Sequence, residues 1–131
     1  MPRNLRFLLS RDDWYHQRGY WVLAKALGNA GIEVVLGGIQ TPSGIVPIAV
    51  QEDVDIIGYR IMNGDPTILV SLLLHEMKNQ GIDKTPVVVG GIIPQKDERI
   101  LKSLGIKEVF HPYTTIETIV HTIKGICKSE P

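Results

Sequence analysis

Cysteine is nearly absent from the 131 residues, and the single Cys127 can neither close an internal disulfide nor join a second thiolate around zinc. A reducing compartment is therefore the expectation, and the cytoplasm fits best. An excess of either charge is missing as well, since Lys plus Arg and Asp plus Glu each number 14. No net field draws the chain to nucleic acid or to an anionic membrane, so neither is expected as a partner. No apolar run approaches the roughly 18 residues that read as a membrane-spanning helix. The opening MPRNLRFLLSRDD holds only a brief apolar stretch closed by charges, which speaks against a standard export signal and against a spanning segment. Aromatics are scarce too: two Trp, four Tyr and two Phe.

What remains is a regular alternation. Apolar runs of strand length are followed by longer segments of helical period, with Gly, Pro, Thr or Asp at most junctions, the pattern of repeated β-α units. Five units are read. The first pairs a strand at Leu5 to Leu9 with a helix at Gln17 to Asn29, ended by Gly31. The second has a strand at Ile32 to Leu36, then a helix opened by Thr41 and Pro42. Pro47 predicts an irregular first turn there. The third has a strand at Ile56 to Tyr59 and a helix capped by Asp65, started by Pro66 and terminated by Gly81. The fourth joins PVVVGG, residues 86 to 91, to a helix at Gln95 to Leu104. The fifth joins Glu108 to Phe110 to a helix at Ile116 to Cys127, capped by Thr114 or Thr115.

Strands built of Val, Ile and Leu are covered on both faces, so the sheet should be parallel with helices on each side. The expected fold class is α/β, a flavodoxin-like, Rossmann-like doubly wound five-stranded parallel sheet of order 2-1-3-4-5. Residues 1–131 are taken as one domain, a length that buries roughly two thirds of its unfolded surface. Ligands of such sheets bind at the carboxyl ends of the strands, near the switch between strands one and three. The loops that open there contain His16, Arg60, Asn63, Gly64, Gly90, Gly91, His111 and Tyr113, and six of the eight aromatics lie in or beside them. A large flat ligand or a protein partner would use such a rim; core positions at helix starts are the alternative for each.

Two users of this fold fail on residues. A phosphoacceptor receiver needs an aspartate ending strand three and a lysine after strand five, where this chain reads GYR and FHP. An FMN-binding flavodoxin cradles phosphate with hydroxyls and free N–H groups, whereas SRDDWYHQRG places two carboxylates in that loop.

A third user fits. ALGNAGIEVVLGGIQTPSGIVPIAVQEDVDIIGYRIMNG, continued by VVVGGIIPQKD and LGIKEVFHPYTTIETIV, resembles the cobalamin-binding domain of methylmalonyl-CoA mutase and related acyl-CoA mutases, from about residue 4 to residue 126. QTP, AVQEDVDIIG and VVVGGIIP are its most specific parts. The resemblance implies adenosylcobalamin (B12) bound with its dimethylbenzimidazole tail beside the sheet and a first-loop histidine on cobalt. His16 and Gly19 match the histidine and glycine of the family's Asp-x-His-x-x-Gly motif. Neutral imidazole is a good ligand for a transition metal, and its other nitrogen is normally held by a carboxylate or carbonyl.

Two positions depart from the pattern. Trp14 stands where the family has its aspartate, leaving Asp13 and Asp12 as the candidate supports for His16. Arg60-Ile61-Met62 aligns with the family's Ser-x-Leu. Met62 for leucine is a mild change. Arg60 for serine adds bulk and a charge that needs a partner. It has four outlets: outward, against Asp12 or Asp13, on a nucleotide phosphate, or into the tail pocket. Gly64, Gly90 and Gly91 are either room for the tail or turns after strands three and four, and Tyr113 belongs to the fifth loop.

The function implied is the small B12-binding subunit of a carbon-skeleton isomerase, carrying no catalytic residue of its own. The family's acyl-CoA-binding barrel takes about 250 residues, so a separate large subunit would bind the acyl-CoA. Two other readings stay open: a B12-type module with a degenerate site, and a corrinoid protein for methyl transfer.

Overall fold

The computed structural model describes residues 4–128. Its elements are β1 (Arg6–Arg11), α1 (Gln17–Asn29), β2 (Glu33–Ile39), α2 (Pro42–Glu52), β3 (Ile56–Ile61), α3 (Pro66–Asn79), β4 (Val87–Gly91), α4 (Gln95–Ser103), β5 (Glu108–Phe110) and α5 (Ile116–Lys128). The strands form one parallel sheet of order β2-β1-β3-β4-β5, the flavodoxin-like order that the alternation of periods predicts.

Side-chain alternation along the strands divides the core in two. Leu8, Ile57, Tyr59, Val87 and Val89 face Ile45 and Val46 of α2, Val70, Leu73 and Met77 of α3, and Leu101 of α4. Phe7, Leu9, Ile56, Val88 and Phe110 face Tyr20 and Leu27 of α1 and Ile123 of α5. Helices α1 and α5 thus cover one face together, and the groove between them matters below.

The strands of the first three units run two or three residues further than their apolar runs suggest, to Arg11, Ile39 and Ile61. The ladder is a backbone property, and Arg11 sits in register with Arg60 despite the charge on both. Between β1 and β2 the register slips where Leu9 meets Leu36 but Ser10 meets Gly38. This bulge needs its two glycines. A Cβ on Gly37 would lie 2.0 Å from the Ser10 hydroxyl oxygen, and Gly38 has φ of +72°, a left-handed conformation natural to glycine. Tyr20 then pins the bulge: its hydroxyl donates to Leu9 O at 2.8 Å and accepts from Gly38 N at 3.1 Å.

Helix boundaries bring one correction. Pro47 does not make the first turn of α2 irregular; the helix is continuous from Pro42 to Glu52, and its first turn closes through Gly44 N and Ile45 N onto Thr41 O at 2.9 and 3.1 Å. The ring faces solvent, and the missing N–H costs only the bond that Ser43's carbonyl would have accepted. Thr41 occupies the N-cap position, yet its hydroxyl meets Ser43 Oγ instead of capping. Asp65 does cap, accepting from Ile68 N at 3.2 Å. Thr115 caps the last helix, accepting from Thr118 N, while Thr114 accepts from His111 N.

Candidate functional site

The loop between β1 and α1 divides its two carboxylates between different tasks. Asp12 reaches across to the loop after β3, where it accepts from Met62 N at 2.7 Å, Asn63 N at 3.1 Å and Gly64 N at 2.6 Å. Asp13 turns inward and is 5% exposed. Its Oδ2 meets His16 Nδ1. Trp14 lies two residues before the histidine and points to solvent, 68% exposed. The support that the motif position lacks thus comes from three residues before the histidine, and Asp12 is already engaged elsewhere. An Asp13 carboxylate accepts from Nδ1–H, which leaves Nε2 with its lone pair outward. Nε2 has no hydrogen-bond partner among the described residues, and the side chain is 48% exposed.

Arg60, at the end of β3, lies across the start of α1. Its Nη1 donates to His16 O at 2.7 Å, and its guanidinium covers Gly19, where any Cβ would stand 2.5 Å from Nη2. Of the four outlets open to it in the sequence, the arginine takes none wholly: it bonds the loop backbone, with the charges of Asp13 and Asp12 nearby. Burial lowers its pKa from the ordinary arginine value; Asp13 opposes that shift and Arg11 adds to it. Arg11 is 6% exposed and rests on the Tyr20 ring at 4.5 Å from its centroid. Arg11 Nε and Nη1 and Asp13 Oδ1 are buried without hydrogen-bond partners among the described residues.

Beside this loop a cavity of about 290 Å³ opens between the sheet and the α1–α5 pair. Phe7, Leu9, Gly58 and Val88 form its floor; Val22 and Leu23 of α1 and Ile116, Ile119 and Ile123 of α5 form its walls. Gly19, Arg60, Met62 and His111 are among the residues nearer its mouth. The chamber is apolar inside with a few polar groups at the rim, the usual make-up of a small-molecule site.

Seven of the nine residues picked from sequence fall on this cavity or its histidine loop: His16, Asp13, Gly19, Arg60, Met62, Gly90 and Gly91. Gly90 has room, since a Cβ there would meet nothing closer than Phe110 O at 3.6 Å. Gly91 also lines the cavity, but its φ of +117° and the 2.2 Å that would separate a Cβ from Ile61 O make it a backbone requirement of β4. Gly64 is not among the lining residues; it packs on Leu69 and donates to Asp12. Tyr113 is 83% exposed and stacks on His111 at 5.4 Å. His111 Nε2 lies 2.7 Å from Glu98 Oε1, and this bond, helped by Lys102, holds the Glu98 carboxyl below the usual range.

Sequence reasoning missed the cavity walls. Ile116, Ile119 and Ile123 recur at helical spacing, which marks an apolar face and no more; only the separation of α5 from α1 turns that stripe into a chamber. The aromatic rim is mixed, with Trp14, Tyr15, Trp21 and Tyr113 exposed and Tyr20 and Tyr59 fully buried. Among the described residues no group of three or more His, Cys, Asp or Glu could hold a bare metal ion.

The profile of the B12 binding domain matches residues 8–120. The chain belongs to the B12-binding domain family. Its similarity to two small subunits spans most of both partners. It is 31% identical to the 2-hydroxyisobutanoyl-CoA mutase small subunit of Aquincola tertiaricarbonis, over 85% of this chain and 82% of that one. It is 34% identical to the pivalyl-CoA mutase small subunit of Xanthobacter autotrophicus, over 85% of this chain and 75% of that one. The methylmalonyl-CoA mutase large subunit of Streptomyces virginiae is 35% identical over 93% of this chain, which spans only 16% of that protein. Among solved structures, a cobalamin-binding protein from Desulfitobacterium hafniense superposes with TM-score 0.72 at 17% identity, over 94% of this chain and 59% of that one. The NarL receiver domain of Mycobacterium tuberculosis superposes with TM-score 0.77 at 13% identity, over 98% of this chain and 100% of that one. At such identities the likeness is one of fold, and this B12-binding domain shares its sheet with receivers while lacking their strand-three aspartate.

Proposed function

We propose that this chain is the small, cobalamin-carrying subunit of an adenosylcobalamin-dependent acyl-CoA mutase, with residues 1–131 acting as one B12-binding domain. The observation that carries the reading is the Asp13–His16 pair: one imidazole nitrogen is held by a buried carboxylate, and the other has no hydrogen-bond partner among the described residues, in a loop whose neighbours Gly19 and Arg60 line an apolar cavity. A metal ligand needs that arrangement, because the held nitrogen fixes the ring's tautomer and orientation. The two small-subunit relatives, spanned over most of their length, support the subunit role.

The residues present fit the cofactor. His16 Nε2 would take cobalt, and the cavity between α1 and α5 would take the apolar tail, with Gly19, Met62, Gly90 and Gly91 beside it. Gly64 and Tyr113 serve at one remove, Gly64 by tying the loop after β3 to Asp12 and Tyr113 by covering His111. When bound, adenosylcobalamin supplies a cleavable cobalt–carbon bond and hence radical chemistry. The chain's own part is to hold the imidazole, exclude water from the chamber with its apolar walls, and present the exposed Trp14, Tyr15 and Tyr113 at the loop edge. A large barrel subunit would dock there and bind the acyl-CoA, so the chain alone would catalyse nothing. No helix among the described residues is long and apolar enough to cross a membrane, and we place the complex in the cytoplasm.

The test is a titration of the purified chain with adenosylcobalamin and hydroxocobalamin, followed by absorbance and by retention through gel filtration, in wild type and His16→Ala. Retention with a spectral change lost in His16→Ala is the expected result. No retention by the wild type, alone or with a large subunit present, would overturn the reading.

A further inference from the structure

His16 is held at two points, one on its ring and one on its main chain. Asp13 holds the imidazole; Arg60 holds the backbone of the same residue, its Nη1 donating to His16 O at 2.7 Å across 44 residues of sequence. The two grips come from different elements, one from the loop itself and one from the end of β3. His16 is also the N-cap of α1, with φ of −95° and ψ of 50°, and its side chain makes no cap bond. Its imidazole is therefore free of the helix, and its main chain depends on whatever fixes the first turn. Gly19 makes room for that fixing: a Cβ there would stand 2.5 Å from Arg60 Nη2 and 3.2 Å from its Cζ.

We infer that Arg60 is a positioning residue that pre-orders the His16 loop for metal ligation, fixing the main chain of His16 while Asp13 fixes its imidazole. A planar guanidinium can lock a loop by several donors at once, whereas a serine at this position is too short to span from β3 to α1. The inference rests on the reading of His16 as the cobalt ligand. It differs from the alternative in which Arg60 contacts the phosphate of the cofactor's tail, because a positioning residue affects every corrinoid equally.

The experiment compares wild type, Arg60→Ala and Arg60→Lys, each first shown by circular dichroism and urea unfolding to be folded. The probes are hydroxocobalamin and cobinamide, which lacks the nucleotide tail, together with the ring-nitrogen NMR shifts of His16 in cofactor-free protein. Losing a charge-assisted bond that orders the loop should weaken both corrinoids by about tenfold, with partial recovery in Arg60→Lys. The His16 ring of cofactor-free Arg60→Ala should show averaged tautomers in place of one. A loss confined to the tail-bearing corrinoid, or unchanged ring shifts in Arg60→Ala, would overturn the inference. Failure of wild type to bind either corrinoid sinks the cofactor reading instead, and the ring shifts still decide whether Arg60 orders the loop. Gly19→Ala supplies an independent arm: it should weaken corrinoid binding in the wild-type background and have less effect when Arg60 is already alanine. Equal effects in both backgrounds would count against contact through Arg60.

Discussion

Asp12 and Asp13 are adjacent and chemically identical, yet their surroundings assign them opposite parts. Asp12 accepts three backbone N–H groups and so stitches the loop after β1 to the loop after β3. Asp13 is buried with one oxygen on His16 and the other unpartnered among the described residues, a costly placement that folding alone does not call for. Asp12→Ala should therefore destabilise the chain by about 2–3 kcal/mol, the scale of lost bonds to a charged acceptor. Asp13→Ala should leave the urea midpoint unchanged or raised while abolishing the His16-dependent cobalamin spectrum. Equal destabilisation by the two variants would mean that Asp13 is a structural residue.

At the scale of elements, the least natural helix is α2, which carries Pro47 in its interior and Gly44 in its first turn. The proline deprives Ser43's carbonyl of a partner, and its ring is exposed, so nothing in the core depends on it. Pro47→Ala should stabilise the protein by about 1–2 kcal/mol, the helix gain less the extra freedom of the unfolded chain. A lower urea midpoint would show that the proline aids folding in some other way. Helices α1 and α5 are different: each has a wide apolar face, but the sheet they cover is not filled by them. Their separation leaves the cavity, and a helix stripe that serves as core at Leu27 serves as chamber wall at Val22, Leu23, Ile116, Ile119 and Ile123.

For the molecule as a whole, two buried phenols make alkaline stability a measurable property. Burial pushes the Tyr59 hydroxyl up to about 12, with the Asp12 charge adding, and raises Tyr20 as well. Their neutral forms are the folded forms: Tyr59 donates to Gln40 O at 2.8 Å and Tyr20 to Leu9 O. A raised pKa gives stability that is complete below the unfolded value near 10 and is lost as pH climbs through the folded value. Unfolding free energy should fall by roughly 2–3 kcal/mol for Tyr59 between pH 10 and 12. Tyr59→Phe should be less stable at pH 8 by about 1 kcal/mol, for the lost hydrogen bond, and show a shallower alkaline decline. An unchanged slope in that variant would assign the decline to other groups.

The order of elements and the parallel sheet were legible in the sequence, because each depends on local quantities, the period of apolar residues and the punctuation by Gly, Pro and Asp; His16 was singled out as a candidate ligand through the resemblance to the family's first-loop motif. Even there, local rules overstated the effect of Pro47, whose missing bond is a single one in a helix supported by Ile45, Val46 and Ala49 in the core. What required tertiary structure was every question of which group faces which. Asp12 and Asp13 differ by one residue, and only the approach of the loop after β3 gives three N–H donors to the first and leaves the second for His16. Arg60 and His16 are 44 positions apart, so their bond exists only once β3 lies beside β1. Periodicity decides which face of a helix is apolar; the packing of α1 and α5 on the sheet decides whether that face is buried in core or borders an open chamber.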